Sequence, residues 1–159
     1  MYFGVDYHPE QWVHPYGGTK ENPEAEWQQD VDMMVAAGIN AVRIGEFSWG
    51  LCERAPGQYD FGWLTRIMDL MDRAGIKVIL DIPGQPAPTW LHHKYPGTDI
   101  VTQQGTRLHA AERYMDNISD PDYKRLVARL ADTLMARYAK HPALLAIGFD
   151  NEIGHGFMS

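Results

Sequence analysis

One short pattern occurs twice in this chain and restricts its fold more than any other feature. Ala37-Gly38-Ile39-Asn40 and Ala74-Gly75-Ile76-Lys77 lie 37 residues apart, and each follows an amphipathic segment and precedes an apolar one. A glycine at such a position typically ends a helix in the left-handed conformation. Helices that end in this way and lead into apolar strands are typical of repeated βα units. The repeat therefore predicts an α/β fold with a parallel sheet.

The remaining elements continue the same alternation. Asn22-Pro23 and Asp120-Pro121 each place a capping side chain before a proline, which is a common start of a helix. A long loop rich in proline and glycine runs from Pro83 to about Ser119, and loops of this length are usually functional or disordered. We expect strands over about 3–6, 39–44, 76–82 and 143–149, and helices over about 24–37, 61–74 and 121–140.

Four strands and three helices are compatible with two architectures. They could form a small doubly wound sheet or half of an eight-stranded barrel, with right-handed crossovers in both. A whole (β/α)8 TIM barrel takes roughly 250 residues, so a chain of 159 residues could hold only its first half. No helical pattern follows the fourth strand, which favours the barrel half. We therefore expect one domain over residues 1–159, with the N-terminal half of a TIM barrel as the favoured architecture.

Composition and charge exclude several classes of function. The net charge of −7 argues against a nucleic acid or an anionic membrane as partner. No apolar stretch has membrane-spanning length, and Met1 begins no signal peptide pattern. The single cysteine, Cys52, excludes an internal disulfide and predicts a reducing, cytoplasmic location. We predict no metal site and no other cofactor, since His92 and His93 lack ligand spacing and no Gly-x-Gly-x-x-Gly follows strand one.

Polar and aromatic side chains follow every predicted strand, where parallel α/β folds carry their chemistry. The fourth apolar run, which we expect to be buried on both faces, stops at Asp150, Asn151 and Glu152. An amide can orient a hydroxyl while the neighbouring carboxyl group transfers a proton. Carboxylates interleaved with aromatic rings suit a carbohydrate, although polar turns and core aromatics remain the alternative at each end. The polar and aromatic residues that follow the first three predicted strands are Tyr7, His8, Trp12, Glu46, Trp49 and Trp90.

Several segments together carry a family resemblance. They are Phe3–Trp12, Arg43–Trp49, Gly57–Leu64, Pro88–Leu91 and Asn151-Glu152. Over nearly its whole length the chain resembles glycoside hydrolase family 42, the β-galactosidases. The resemblance implies an eight-stranded (β/α) barrel and a retaining mechanism with two carboxylic acids.

The resemblance also implies roles for three residues. Glu152 would be the general acid/base, Asn151 would hold a sugar hydroxyl next to the reacting carbon, and Arg113 matches a substrate-binding arginine. The implied partner is a galactoside, and the implied full-length enzyme is a homo-oligomer, a trimer. In the family the nucleophile comes from the seventh strand of the eight-stranded barrel, and we expect this chain to contain only the first four barrel strands. We therefore predict that the 159-residue chain alone does not hydrolyse glycosides.

The resemblance leaves one departure and two alternatives. Some family members hold a structural zinc through cysteines, one of them soon after the matching arginine, whereas Tyr114–Asn117 contains no cysteine. We therefore expect no zinc of that kind. One alternative is a non-catalytic carbohydrate-binding or interaction module built on a half barrel. The other is a complete small α/β hydrolase that uses Glu46 and Glu152.

Overall fold

The computed structural model describes residues 1–108, 116–149 and 151. In chain order the strands are β1 (Gly4–Asp6), β2 (Ala41–Ile44), β3 (Glu53–Ala55), β4 (Gln58–Tyr59), β5 (Lys77–Ile82), β6 (Ile100–Val101), β7 (Arg107–Leu108) and β8 (Leu144–Phe149). The helices are α1 (Ala25–Ala36), α2 (Trp49–Cys52), α3 (Gly62–Arg73), α4 (Thr89–Lys94) and α5 (Pro121–Tyr138), with 3₁₀ turns at Pro9–Gln11 and Pro96–Thr98.

Four of the strands form the main sheet, in the order β1-β2-β5-β8. The pairing is parallel between β1 and β2 and between β2 and β5, with Asp6 opposite Arg43 and Arg43 opposite Ile79. The predicted parallel sheet and its three long helices are thereby confirmed. The sequence does not predict α2, α4 or the antiparallel pairs β3–β4 and β6–β7, which lie in the connections after β2 and β5.

The repeated glycines act through their backbone conformation. Gly38 and Gly75 have φ angles of 78° and 73°, in the left-handed region that favours glycine. An added Cβ would meet no atom of the described residues within 4 Å at either position, so the requirement is conformational and not steric. Each glycine ends a long helix directly before a strand, as the repeat predicts.

The predicted helix starts are correct in one case and wrong in another. Asp120 caps α5, because its Oδ1 accepts hydrogen bonds from the N–H groups of Asp122 at 2.8 Å and Tyr123 at 3.0 Å. Asn22 does not cap α1, which begins at Ala25 without a side-chain cap. The Asn22 N–H instead donates to Thr19 Oγ1 at 3.0 Å, so Asn22 belongs to a turn that precedes the helix.

The chain folds as two compact units, each built from several segments. The first contains Met1–Gly45, Phe61–Asp81 and Tyr138–Gly148, and the second contains Glu46–Asp60, Ile82–Arg137 and Phe149–Ser159. In the first unit, α3 buries an apolar stripe at helical spacing, and each such side chain contributes about 1.5–3 kcal/mol through burial. The stripe consists of Leu64, Ile67, Met68 and Met71.

One burial prediction is wrong. The sequence predicts that the fourth apolar run is buried on both faces, yet in β8 the side chain of Leu145 is 37% exposed and that of Phe149 is 78% exposed. Among the described residues, β8 lies at one end of the sheet order and has β5 as its neighbour on one side, and side chains at the edge of a sheet have fewer groups to cover them. The first strand, β1, ends the sheet on the other side, and all three of its residues are exposed.

None of the helices in the described ranges combines the length and the apolar character that a membrane-spanning segment requires.

A buried ion pair makes Gly148 sensitive to substitution. An ideal Cβ on Gly148 would lie 1.7 Å from Asp81 Oδ1 and 2.9 Å from Asp81 Cγ. Asp81 is buried and pairs with Arg43, so it cannot move aside without losing that contact. We expect Gly148→Ala to lower the free energy of unfolding by about 1–3 kcal/mol in urea denaturation.

Gly50→Ala is the matched control. Among the described residues its Cβ would meet Pro88 Cβ alone, at an ordinary 3.8 Å, and Gly50 lies in a helix where alanine is favoured by roughly 0.5–1 kcal/mol. The cost of Gly148→Ala should also shrink in an Asp81→Ala background, because the crowded carboxylate is then gone. An undiminished cost in that background would contradict the explanation.

Candidate active-site edge

The carboxyl-terminal edge of the sheet carries an ion cluster within the first unit. Arg43 of β2 pairs with the buried carboxylate of Asp81 in β5, and Arg43 Nη1 lies 3.5 Å from Asp6 Oδ1 at the end of β1. The guanidinium of Arg43 therefore lies near two carboxylates, one from each of the strands that flank β2. Sequence reasoning assigns no role to Arg43 or Asp81. The signal that could have found them is a charged residue inside each of two otherwise apolar strands.

The predicted site residues are only partly within the described chain. Asn151 is half-buried and follows the last residue of β8 by two positions, beyond the sheet edge at which such folds carry their chemistry. Glu152 and Arg113 lie outside the described residues. The roles of all three remain predictions.

A turn with unusual backbone angles follows β2 and contains Glu46, one of the polar residues predicted at a strand end. Gly45 has a φ of 98°, and Phe47 has a φ of 65°, which is unusual for a residue with a Cβ. Glu46 between them is buried, with only 5% of its surface exposed. Backbone strain of this kind costs on the order of 1–3 kcal/mol and is common at functional sites.

Two of the tryptophans predicted to contact a sugar, Trp49 and Trp90, form hydrogen bonds inside the second unit instead. Trp49 is fully buried, and its Nε1–H donates to Glu53 Oε2 at 2.9 Å. Its ring also packs edge-on against Tyr123 at a centroid distance of 6.0 Å. Trp90 donates its Nε1–H to the Glu53 carbonyl at 2.8 Å. Trp49 is thus a core residue and not a sugar platform, whereas Trp12 is half exposed.

Glu53 organises these contacts although no sequence motif marks it. Its side chain is fully buried, accepts a hydrogen bond from the Gly57 N–H at 2.6 Å, and pairs with Arg129 of α5. The carboxylate therefore joins α2, the β3–β4 turn and α5. Only the fold brings Glu53 and Arg129 together, because they are 76 residues apart.

Tyr7, another of the residues predicted at a strand end, also forms a hydrogen bond between two secondary-structure elements. Its hydroxyl donates to Asp30 Oδ2 at 2.7 Å and so connects the end of β1 with α1. Burial, together with the hydrogen bond to the Asp30 carboxylate, raises the pKa of Tyr7 well above its usual range. Tyr7 therefore stays protonated and acts as a donor, not as a base.

In the part of the chain that the structure describes, no group of three or more His, Cys, Asp or Glu side chains is placed to hold a metal ion.

The parallel sheet and its helices correspond to half of a TIM barrel. Solved structures that are 32% identical to this chain in sequence have the same fold over the matched residues. A β-galactosidase from the psychrophilic Marinomonas ef1 matches with a TM-score of 0.87 over 98% of this chain and 22% of that chain. The polyextremophilic β-galactosidase from the Antarctic haloarchaeon Halorubrum lacusprofundi matches with the same score and coverage.

The amino-acid sequence leads to the same group of proteins. The family model of glycoside hydrolase 42, described as β-galactosidase, matches residues 6–158, and the chain belongs to this family. A β-galactosidase from Arthrobacter sp is 40% identical over 152 residues, which are 96% of this chain and 20% of that protein. The β-galactosidase Pbg of Clostridium perfringens is 38% identical over 96% of this chain and 21% of its own length. The chain thus spans about a fifth of the length of these relatives.

The contacts of Glu53 predict the effect of removing its charge. Both carboxylate oxygens of Glu53 accept hydrogen bonds from N–H groups. In Glu53→Gln one oxygen is replaced by an NH₂ group, which would face an N–H donor and could not accept from it, and the loss of the charge would weaken the pair with Arg129. We expect the free energy of unfolding to fall by about 1–3 kcal/mol, as followed by tryptophan fluorescence in urea.

Glu24→Gln is the control for this experiment, because Glu24 pairs with Arg66 at the exposed surface. Exposed pairs contribute about 0–1 kcal/mol, so this variant should unfold nearly as the parent does. Equal losses in the two variants would contradict a special role for the buried carboxylate.

Proposed function

We propose that this chain is the N-terminal part of a retaining glycoside hydrolase that acts on terminal β-D-galactosides. In this proposal it supplies the general acid/base, Glu152, and the nucleophile comes from outside residues 1–159. The main support is the match of residues 6–158 to the β-galactosidase family, which includes the Asn151-Glu152 pair. The relatives in the match are named β-galactosidases, which favours a galactoside as substrate.

The proposed chemistry follows from what a retaining reaction requires. A carboxylic acid first protonates the leaving oxygen while a second carboxylate, about 5–5.5 Å away, attacks the sugar carbon. The first group then removes a proton from water, which hydrolyses the glycosyl-enzyme intermediate. Glu152 takes the first role, and Asn151 and Arg113 hold sugar hydroxyls. The position of Asn151 just past the carboxyl end of β8 supports this assignment, because TIM barrels carry their active sites there.

The remainder of the barrel belongs to the same proposal. Residues 1–159 form a partial catalytic domain, and further βα units would pair with β1 and β8, the strands at the two ends of the sheet order. The roughly fivefold greater length of the relatives supports this. The proposed whole enzyme is a trimer in the reducing cytoplasm, in keeping with a single, buried cysteine, Cys52.

The first test uses the chain itself. With no second carboxylate in place, we expect the purified 159-residue chain to release no nitrophenol from a nitrophenyl β-D-galactoside above the buffer rate. Calorimetric titration with galactose accompanies the assay. Turnover that disappears in Glu152→Gln would overturn the fragment proposal, and tight galactose binding without any turnover in a completed barrel would favour a binding module.

The second test completes the barrel. The chain replaces the matching segment of the Arthrobacter β-galactosidase, and we expect Glu152→Gln in this chimera to lower kcat/KM, which reports on the glycosylation step, by roughly 10²–10⁴-fold on a substrate with a poor leaving group. An activated dinitrophenyl leaving group needs little protonation, so kcat/KM for that substrate should fall less, and its pH profile should lose the alkaline limb. Glu24→Gln, on the surface, is the matched control. Equal loss on both substrates would contradict the acid/base role.

A further inference from the structure

A second cluster of buried charges lies in the second unit and takes no part in the proposed chemistry. His92 of α4 is 8% exposed, and the two carboxylates beside it, Asp99 and Asp116, are 1% and 3% exposed. Asp99 precedes β6 and forms an isolated antiparallel bridge with Asp116. The cluster therefore connects three separate parts of the long connection between β5 and α5.

Both nitrogens of the His92 ring face a carboxylate. Nδ1 lies 2.7 Å from Asp99 Oδ1, and Nε2 lies 3.1 Å from Asp116 Oδ1. The other oxygen of Asp116 accepts the Ala87 N–H at 3.0 Å, which adds the start of the connection to the cluster. Among the described residues, the guanidinium of Arg107 also approaches the cluster, with Nη1 at 3.9 Å from Asp99 Oδ2.

The geometry selects one protonation state of the ring. A neutral imidazole has a single N–H, so one of its nitrogens would turn a lone pair toward a carboxylate oxygen. An imidazolium donates from both nitrogens and leaves a cluster of one positive and two negative charges, beside the guanidinium of Arg107. The carboxylate of Asp116 and then that of Asp99 raise the pKa of His92, against the opposing effect of burial.

We propose that His92, as an imidazolium between Asp99 and Asp116, is a pH-sensitive clasp that holds the β5–α5 connection together and releases it when the ring loses its proton. The clasp restrains Ala87, α4 and the Asp99–Asp116 bridge as one group. Asp116 follows Arg113, the proposed sugar-binding residue, by three positions in the sequence. The proposal does not depend on glycosidase activity.

The direction of the pH effect follows from the protonation state. Because the folded chain holds the proton more tightly than the unfolded chain, the stabilisation is fully present below the ordinary histidine pKa of about 6.5. It is lost as the pH rises through the pKa of His92 in the folded state. The clasp is thus closed in acid and opens on the alkaline side.

The direct measurement is the protonation state of the ring in the unmodified chain. In long-range ¹H–¹⁵N spectra of the histidine-labelled protein, we expect both nitrogens of His92 to have imidazolium shifts at pH 7.0 and to change together at higher pH. Hydrogen exchange of the Ala87 amide, corrected for its intrinsic pH dependence, should accelerate over the same interval. A neutral His92 ring at pH 7.0, with the proton on either carboxylate instead, would overturn the proposal.

Two neighbouring variants separate the clasp from a general effect of losing a histidine. His92→Gln keeps a polar side chain but cannot donate to both carboxylates as a cation, so exchange at Ala87 should be roughly tenfold faster or more at pH 7.0. The same variant should lose most of the dependence of Ala87 exchange on pH. His93 is the exposed neighbour, and His93→Gln should leave both quantities unchanged. Unchanged exchange at Ala87 in His92→Gln, with a retained fold, would refute the clasp.

Discussion

Parallel pairing within the main sheet determines where the other elements of this chain lie. A strand that pairs in parallel with its predecessor must be reached by a crossover, and α1 and α3 supply the crossovers between β1 and β2 and between β2 and β5. Each crossover returns the chain to the same end of the sheet. Strands that are far apart in sequence therefore finish at one edge of the sheet.

Buried carboxylates lie beside basic side chains both in the main sheet and in the irregular connections of the fold. Asp81 pairs with Arg43 inside the sheet, Glu53 pairs with Arg129, and His92 lies between two aspartates. Burying an isolated carboxylate is costly, whereas a carboxylate with a cation and N–H donors is tolerated. Such clusters specify one arrangement of a long connection, because a different arrangement would leave a charge without its partner. This accounts for the ordered contacts of segments that have little regular secondary structure.

The accuracy of the sequence predictions depends on how local each signal is. The left-handed glycines Gly38 and Gly75 and the cap at Asp120 are correct, because each involves groups within a few residues of one another, although the equally local cap at Asn22 is wrong. The expected burial of β8 on both faces is wrong, because burial depends on what flanks the strand in the sheet. Trp49 shows the same limit. Its position after β2 suggests a ligand contact, but its ring packs against Tyr123 and its Nε1–H donates a hydrogen bond to Glu53.

The amino-acid sequence by itself determined the order of the four main-sheet strands and the three long helices, the parallel α/β class and the family, since periodicity, turn residues and motifs are properties of neighbours along the chain. It also supplied Asn151, Glu152 and Arg113 as predicted site residues, through the resemblance alone. Only the tertiary structure decided which polar groups are paired in the interior, as with Arg43 and Asp81. The reason is physical: such partners are separated by tens of residues, and a charge near an apolar run does not reveal which distant group will neutralise it.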